Sequence, residues 1–175
     1  MRTLVSLLIV AVCFLSACDT SLPTDVSYPI DLDRGIDLPY MVSDGHFVNN
    51  WYEGATNPSC LIFRDYECFD RYFSVGWYIG LDEAKLITEE RMEGRFVLSI
   101  IYQGCDVVRL GIEKVLLHKG KLIVCYAREV TLSDVPFTGN YHLTLLIDDC
   151  RFDSVELYEN GKRVVNVSIT EPECD

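Results

Sequence analysis

The run RFVLSIIYQG, from Arg95 to Gly104, decides the fold. Phe96, Leu98, Ile100 and Tyr102 alternate with Val97, Ser99 and Ile101, a period of two that sends the two sets to opposite faces of a strand. Both faces are largely apolar, so this strand is expected at the centre of a sheet, covered on both sides. Downstream the same chemistry repeats. Ile112 to His118 and Lys121 to Ala127 flank Lys119-Gly120, a two-residue hairpin turn. Tyr141, Leu143, Leu145 and Ile147 alternate with His142, Thr144, Leu146 and Asp148 in another strand. Ser154 to Glu159 and Lys162 to Ile169 meet at Asn160-Gly161, the residue pair favoured by a type I′ turn.

Upstream, His46 to Tyr52, Cys60 to Tyr66 and Arg71 to Ile79 are short aromatic and β-branched runs between Gly, Asn, Pro and acidic residues. In the third run Phe73, Val75, Trp77 and Ile79 share a face opposite Tyr72, Ser74 and Tyr78. Asp82 is placed to cap a helix that runs to Met92 and stops at Gly94. The expectation is a mainly β domain over residues 41–175: an antiparallel sheet curled into a sandwich or partly open barrel, with one short helix near 82–92.

The first forty residues differ from the rest. A single cation, Arg2, precedes the apolar run from Leu4 to Leu15, which has the length of a secretory signal and is short for a membrane span. From Asp19 to Tyr40 come three prolines, many acids and no sustained apolar period, the composition of a flexible tether. Extended at about 3.3 Å per residue, it reaches at most roughly 70 Å. Asp31, Asp33, Gly35 and Asp37 begin like a calcium loop, but Ile36 and Val42 stand where such a loop needs its glycine and its bidentate Glu.

At the end of the apolar run, Leu15-Ser16-Ala17-Cys18 resembles the lipobox of bacterial lipoproteins. The resemblance implies a signal peptide over 1–17, a diacylglyceryl group on the Cys18 thiol, cleavage before Cys18 and acylation of the new amine. Two or three acyl chains anchor a protein stably where one holds it reversibly. The expected location is the bacterial cell envelope, on the periplasmic or surface side of a membrane. Of eight cysteines, Cys13 would leave with the signal and Cys18 would carry lipid. Cys60, Cys68, Cys105, Cys125, Cys150 and Cys174 remain, an even number that suits disulfides outside the cytoplasm. Six cysteines allow 15 pairings. The preferred set is Cys60 with Cys68, Cys105 with Cys125 and Cys150 with Cys174.

Charge narrows the partners. Without Arg2 the chain carries 14 basic and 27 acidic side chains, a surface that repels nucleic acid and anionic head groups. No spacing of Cys and His suggests a zinc site, and no metal or cofactor is expected. His46, His118 and His142 lack a nucleophile elbow or metalloprotease helix around them. The adjacent acids Asp148-Asp149 and Glu89-Glu90 do not make an acid–base pair, since strand neighbours point apart. Catalysis is therefore not expected. Trp51 and Trp77 are the candidate ligand-contact aromatics, each followed by a tyrosine, and suited to stacking on sugar rings.

A second resemblance spans roughly residues 83 to 160. FVLSIIYQG, then IEKVLLHKGKLIVCYA, then VPFTGNYHLTLLI are similar in order to the small β-rich domain of PrcB-like protease-stability lipoproteins. Where that family usually carries a Thr-Gly-Gly-Tyr turn, this chain has Cys105-Asp106-Val107-Val108. The resemblance implies a binding or accessory role and assigns no residues. The leading expectation is a lipid-anchored module that binds an envelope protein; the alternative is a glycan or peptidoglycan binder, and a small envelope enzyme ranks third.

Overall fold

A computed structural model describes residues 34–76, 81–132 and 138–174. Among the described residues, twelve strands form two five-stranded sheets and one two-stranded sheet. Sheet A has the order β1 (Ile36–Asp37), β7 (Val107–His118), β8 (Lys121–Thr131), β10 (Ser154–Glu159), β11 (Lys162–Arg163). Sheet B has the order β12 (Ser168–Thr170), β4 (Ser59–Phe63), β6 (Arg95–Gly104), β9 (Gly139–Asp148), β2 (Tyr40–Val42). Strands β3 (His46–Val48) and β5 (Phe73–Val75) pair with each other.

The run from Arg95 to Gly104 is the middle strand of sheet B, as its double-faced pattern requires. Phe96, Leu98, Ile100 and Tyr102 meet Val115, Leu122, Val124, Tyr126 and Leu157 of sheet A in the main core. Val97 and Ile101 face the other way, into a second core with Phe63, Phe69, Phe73 and Ile87. Sheet B is thus covered on both sides, by sheet A and by a layer made of helix α1 (Tyr66–Tyr72), β3, β5 and the segment before β6.

Two expectations about the sheets need correction. The sheets are mixed, not antiparallel throughout: β10 runs parallel to β8, and β12 parallel to β4. After β8 the chain crosses to sheet B for β9, so its return to sheet A starts from the same end as β8 did. The expected strand from Lys162 to Ile169 is also split, because the chain leaves sheet A after Arg163 and joins sheet B as β12. The described strands leave open edges and do not close a barrel.

The helix expected over 82–92 is two separate turns. Asp82 caps a 3-10 turn over Glu83–Lys85, and Thr88 caps the four-residue helix α2 (Glu89–Met92). Between them Leu86 and Ile87 are both buried, Leu86 in extended backbone. The Arg91 guanidinium donates to the carbonyls of Glu83, Ala84 and Leu86 and ties the end of the 3-10 turn to α2. The longest helix among the described residues, α1, lies where two strand runs were expected to end and begin. Asp65 caps it by accepting from the Cys68 amide at 2.7 Å. Cys68 and Phe69 on its inner face are buried.

The hairpin turns stand as read. Lys119 and Gly120 have φ of 50° and 77°, and Asn160 and Gly161 of 48° and 75°, the left-handed pair of a type I′ turn. The ordered fold begins earlier than Met41, since Ile36 and Asp37 pair with Leu117 and Leu116.

Candidate functional site

Among the described residues, the most exposed aromatic side chains, Phe47 and Trp51, flank the corner where β3 runs into the turn that follows it. Strand alternation buries His46 and Val48 and leaves Phe47 47% exposed. Asn49 then fixes the turn: its amide donates to the Tyr72 carbonyl at 2.9 Å, its side chain donates to the Arg71 carbonyl at 2.7 Å, and Ser74 Oγ donates to its side-chain oxygen at 2.5 Å. Held this way, Trp51 projects outward, 59% exposed, edge-on to Tyr72 with ring centroids 4.9 Å apart. Its neighbour Tyr52 is buried, with its hydroxyl 2.7 Å from Ser59 Oγ.

Beside this corner lies a cleft of about 590 Å³ lined by Phe47, Asn50, Tyr52, Glu53, Gln103 and Asn140, among others. Gln103 is among the lining residues and is fixed in place. The Gln103 amide nitrogen donates to the Tyr52 carbonyl at 3.1 Å and to Asn140 Oδ1 at 3.0 Å. The cleft therefore offers aromatic walls with amide and carboxylate groups in fixed places. Trp51 is brought to this corner; Trp77 lies outside the described residues. Sequence reading missed Phe47 and Asn49, although the buried–exposed–buried alternation of His46-Phe47-Val48 was available to place Phe47 outward.

Two of the three histidines meet behind the corner. Ser43 Oγ donates its proton to the Lys85 carbonyl at 3.1 Å, so it accepts from His46 Nδ1, 3.0 Å away. A histidine that donates through Nδ1 cannot take the serine proton there, and the pair does not make a nucleophile. His142 Nε2 donates to the His46 carbonyl at 2.9 Å. Its Nδ1 accepts from Thr144 Oγ1 at 2.9 Å, and Thr144 accepts from Ser99 Oγ at 2.8 Å. Every proton of this chain is placed. Burial lowers His46 to about 4, with the neighbouring His142 pushing the same way and Asp70 opposing. Burial also lowers His142. His118 stays apart, beside the Lys119-Gly120 turn.

The remaining candidates are structural pairs. Asp148 binds Arg95 at 3.0 Å while Asp149 binds Arg64 at 3.1 Å, so the two acids serve different partners. Glu89 and Glu90 are exposed in the first turn of α2. In the main core Tyr102 donates to the Glu159 carboxylate, Tyr126 Oη lies 2.9 Å from Tyr102 Oη, and Arg128 Nε donates to Glu159 at 2.8 Å. Burial raises both phenols, and the carboxylate is fully committed. Among the described residues no group of three His, Cys, Asp or Glu side chains is arranged to hold a metal.

The cysteines pair differently from the preferred set. Cys68 in α1 is bonded to Cys174 in the tail, with Cα atoms 5.4 Å apart, which rules out Cys60 with Cys68 and Cys150 with Cys174. Cys60, Cys105, Cys125 and Cys150 are thiols. Cys125 lies opposite Lys114 in the middle of the β7–β8 hairpin, whereas Cys105 precedes its open end at Val107 and Thr131. The six residues from Cys125 to Thr131 span about 20 Å, far beyond disulfide reach. Burial pushes the Cys60 and Cys125 thiols up to about 12. Cys18 lies outside the described residues.

No family model, curated protein or solved structure gives a significant match to this chain.

Proposed function

We propose that this is a lipid-anchored cell-envelope protein that binds a protein partner and performs no chemistry of its own. The observation that carries the reading is the rigid aromatic corner, where Phe47 and Trp51 are about half exposed while the turn between them is fixed by four hydrogen bonds through Asn49 and Tyr52. Ordered, exposed aromatic side chains bind at low entropic cost, and they are the residues enriched at protein interfaces. The lipobox-like Leu15 to Cys18 supports attachment through Cys18 on the periplasmic or surface side of a membrane, where anchoring raises the local concentration against membrane partners.

Mild in-cell crosslinking followed by co-purification tests this, with wild type beside Cys18→Ala and a Phe47→Ser/Trp51→Ala variant. A discrete partner is expected with wild type and lost from both variants. An identical set of proteins from all three would refute the reading. The adjoining cleft favours a second reading, a glycan or peptidoglycan binder, because it combines Phe47 and Tyr52 with Asn50, Glu53 and Asn140. In a Trp77→Phe background, quenching of Trp51 fluorescence by peptidoglycan fragments would support that alternative.

A further inference from the structure

Among the described residues that line the cleft beside the aromatic corner, Glu53 alone is charged. It is exposed and makes no hydrogen bond or ion pair with any described residue. A solvated carboxylate is by itself ordinary surface; what sets Glu53 apart is its company. Phe47 and Tyr52 line the same cleft, and Trp51 stands exposed beside it. The faces of aromatic rings attract a cation, and a carboxylate next to them supplies its direct charge partner. Asn140 completes the polar set. Its side-chain oxygen accepts from Gln103 Nε2 at 3.0 Å, so its NH2 is the end left to donate. Gln103 cannot serve in its place, because both of its amide hydrogens are committed, one to the Tyr52 carbonyl and one to Asn140.

The surrounding charge points the same way. Asp70 in α1 acts on His46 directly behind the corner, and burial keeps His46 and His142 neutral at pH 7. Neither histidine therefore sets a positive charge against an incoming cation. Arg71, the basic residue of α1, is already engaged. Across the whole chain 27 acidic side chains stand against 15 basic ones, a field that draws basic segments to the surface and repels acidic ones.

We infer that the partner of this corner presents a lysine or arginine, whose stem lies against Phe47 and Trp51, with its charged head on Glu53 and its backbone carbonyl on the Asn140 amide. The inference rests on the reading of the corner as a protein-binding site and supplies the chemistry of what it binds: a basic segment of the partner. A neutral sugar ring stacks on the aromatic groups without calling on the charge of Glu53, and this difference separates the two occupants.

The test uses the whole chain that follows Cys18, from Asp19 to Asp175, and a phage-displayed library of random dodecapeptides. Clones are selected on wild type and counter-selected on Phe47→Ser/Trp51→Ala. The enriched clones are expected to share a lysine or arginine at one position. A fluorescein-labelled peptide of the leading clone then reports affinity by polarisation. Glu53→Gln is expected to weaken binding at least tenfold, as is replacing the shared basic residue of the peptide by Gln; the two changes together cost no more than either alone. Glu129→Gln, which removes the same charge from an exposed site on β8, is expected to change affinity less than twofold. Clones that depend on Phe47 and Trp51 but share no cation, or that bind Glu53→Gln as well as wild type, would overturn the inference and leave the corner a protein-binding site. If no clone separates wild type from the double variant, the reading of the corner falls with it. In that case, quenching of Trp51 by peptidoglycan fragments in the Trp77→Phe background, equal with and without Glu53→Gln, would assign the corner to a glycan, and self-association lost in the double variant would assign it to a second copy.

Discussion

Lowering the pH from 7 to 4.5 is expected to weaken this fold through His46 in particular. His46 is neutral in the folded protein, where burial lowers it to about 4, and titrates near its ordinary 6.5 once unfolded. Between those values the unfolded chain holds a proton that the folded chain refuses, so stability is full above pH 6.5 and falls as pH drops towards 4. At pH 4.5 the unfolded group lies two units below its pKa, a difference of about 2.6 kcal/mol at 1.36 kcal/mol per unit, and solvent screening reduces it to about 2. The variant His46→Asn removes the titration and keeps an N–H donor for Ser43 Oγ, which His46 reaches at 3.0 Å. Urea unfolding of both proteins at pH 7 and 4.5 isolates the effect, because His142 and the carboxylates titrate in both. Wild type is expected to lose about 2 kcal/mol more than His46→Asn across this interval. Equal losses would refute the placement of a buried, neutral His46 behind the aromatic corner.

Three further outcomes follow from named contacts. Alkylation of the denatured, unreduced chain from Asp19 should modify four thiols, at Cys60, Cys105, Cys125 and Cys150; Cys174→Ser should add a fifth at Cys68 and lower stability by about 2 to 5 kcal/mol in denaturant unfolding, as expected for a bridge that closes 106 residues. Asp65→Ala removes the cap of α1 and should cost about 1 kcal/mol by the same measurement, with Asp65→Asn largely preserving stability. Thr144→Val leaves His142 Nδ1 and Ser99 Oγ without their partner, and should cost about 1 to 3 kcal/mol in urea unfolding at pH 7; no loss would mean that water replaces the hydroxyl.

Much of the architecture was written in local pattern. The alternation from Phe96 to Tyr102, apolar on both faces, made β6 a central strand because a strand covered on one side only would carry polar residues on the other. Lys119-Gly120 and Asn160-Gly161 fixed two hairpins because glycine and asparagine tolerate the left-handed backbone that those turns need. Trp51 was visible as a candidate from its type alone. Its exposure was not, since Trp51 and Tyr52 are both aromatic neighbours and only the turn pinned by Asn49 decides which of them points into the core.

Tertiary structure alone decided relations between distant residues. Parallel pairing of β10 with β8 depends on which sheet the chain visits in between, and no local period encodes that. Cys68 meets Cys174 because β12 lies along β4 and carries the tail over α1; proximity in sequence had favoured Cys60, which is sealed in the other core. The expected helix over 82–92 is broken at Leu86 and Ile87, which are both buried, Leu86 in extended backbone and Ile87 in the second core, a placement that no local period encodes. The histidine chain joins Ser43, His46, His142, Thr144 and Ser99 from three segments of the sequence. Composition fixed the charge, and periodicity fixed the strands, because both can be read over a few residues. Long-range packing fixed the pairings, the protons and the exposed corner, because each depends on which face of which sheet a side chain meets.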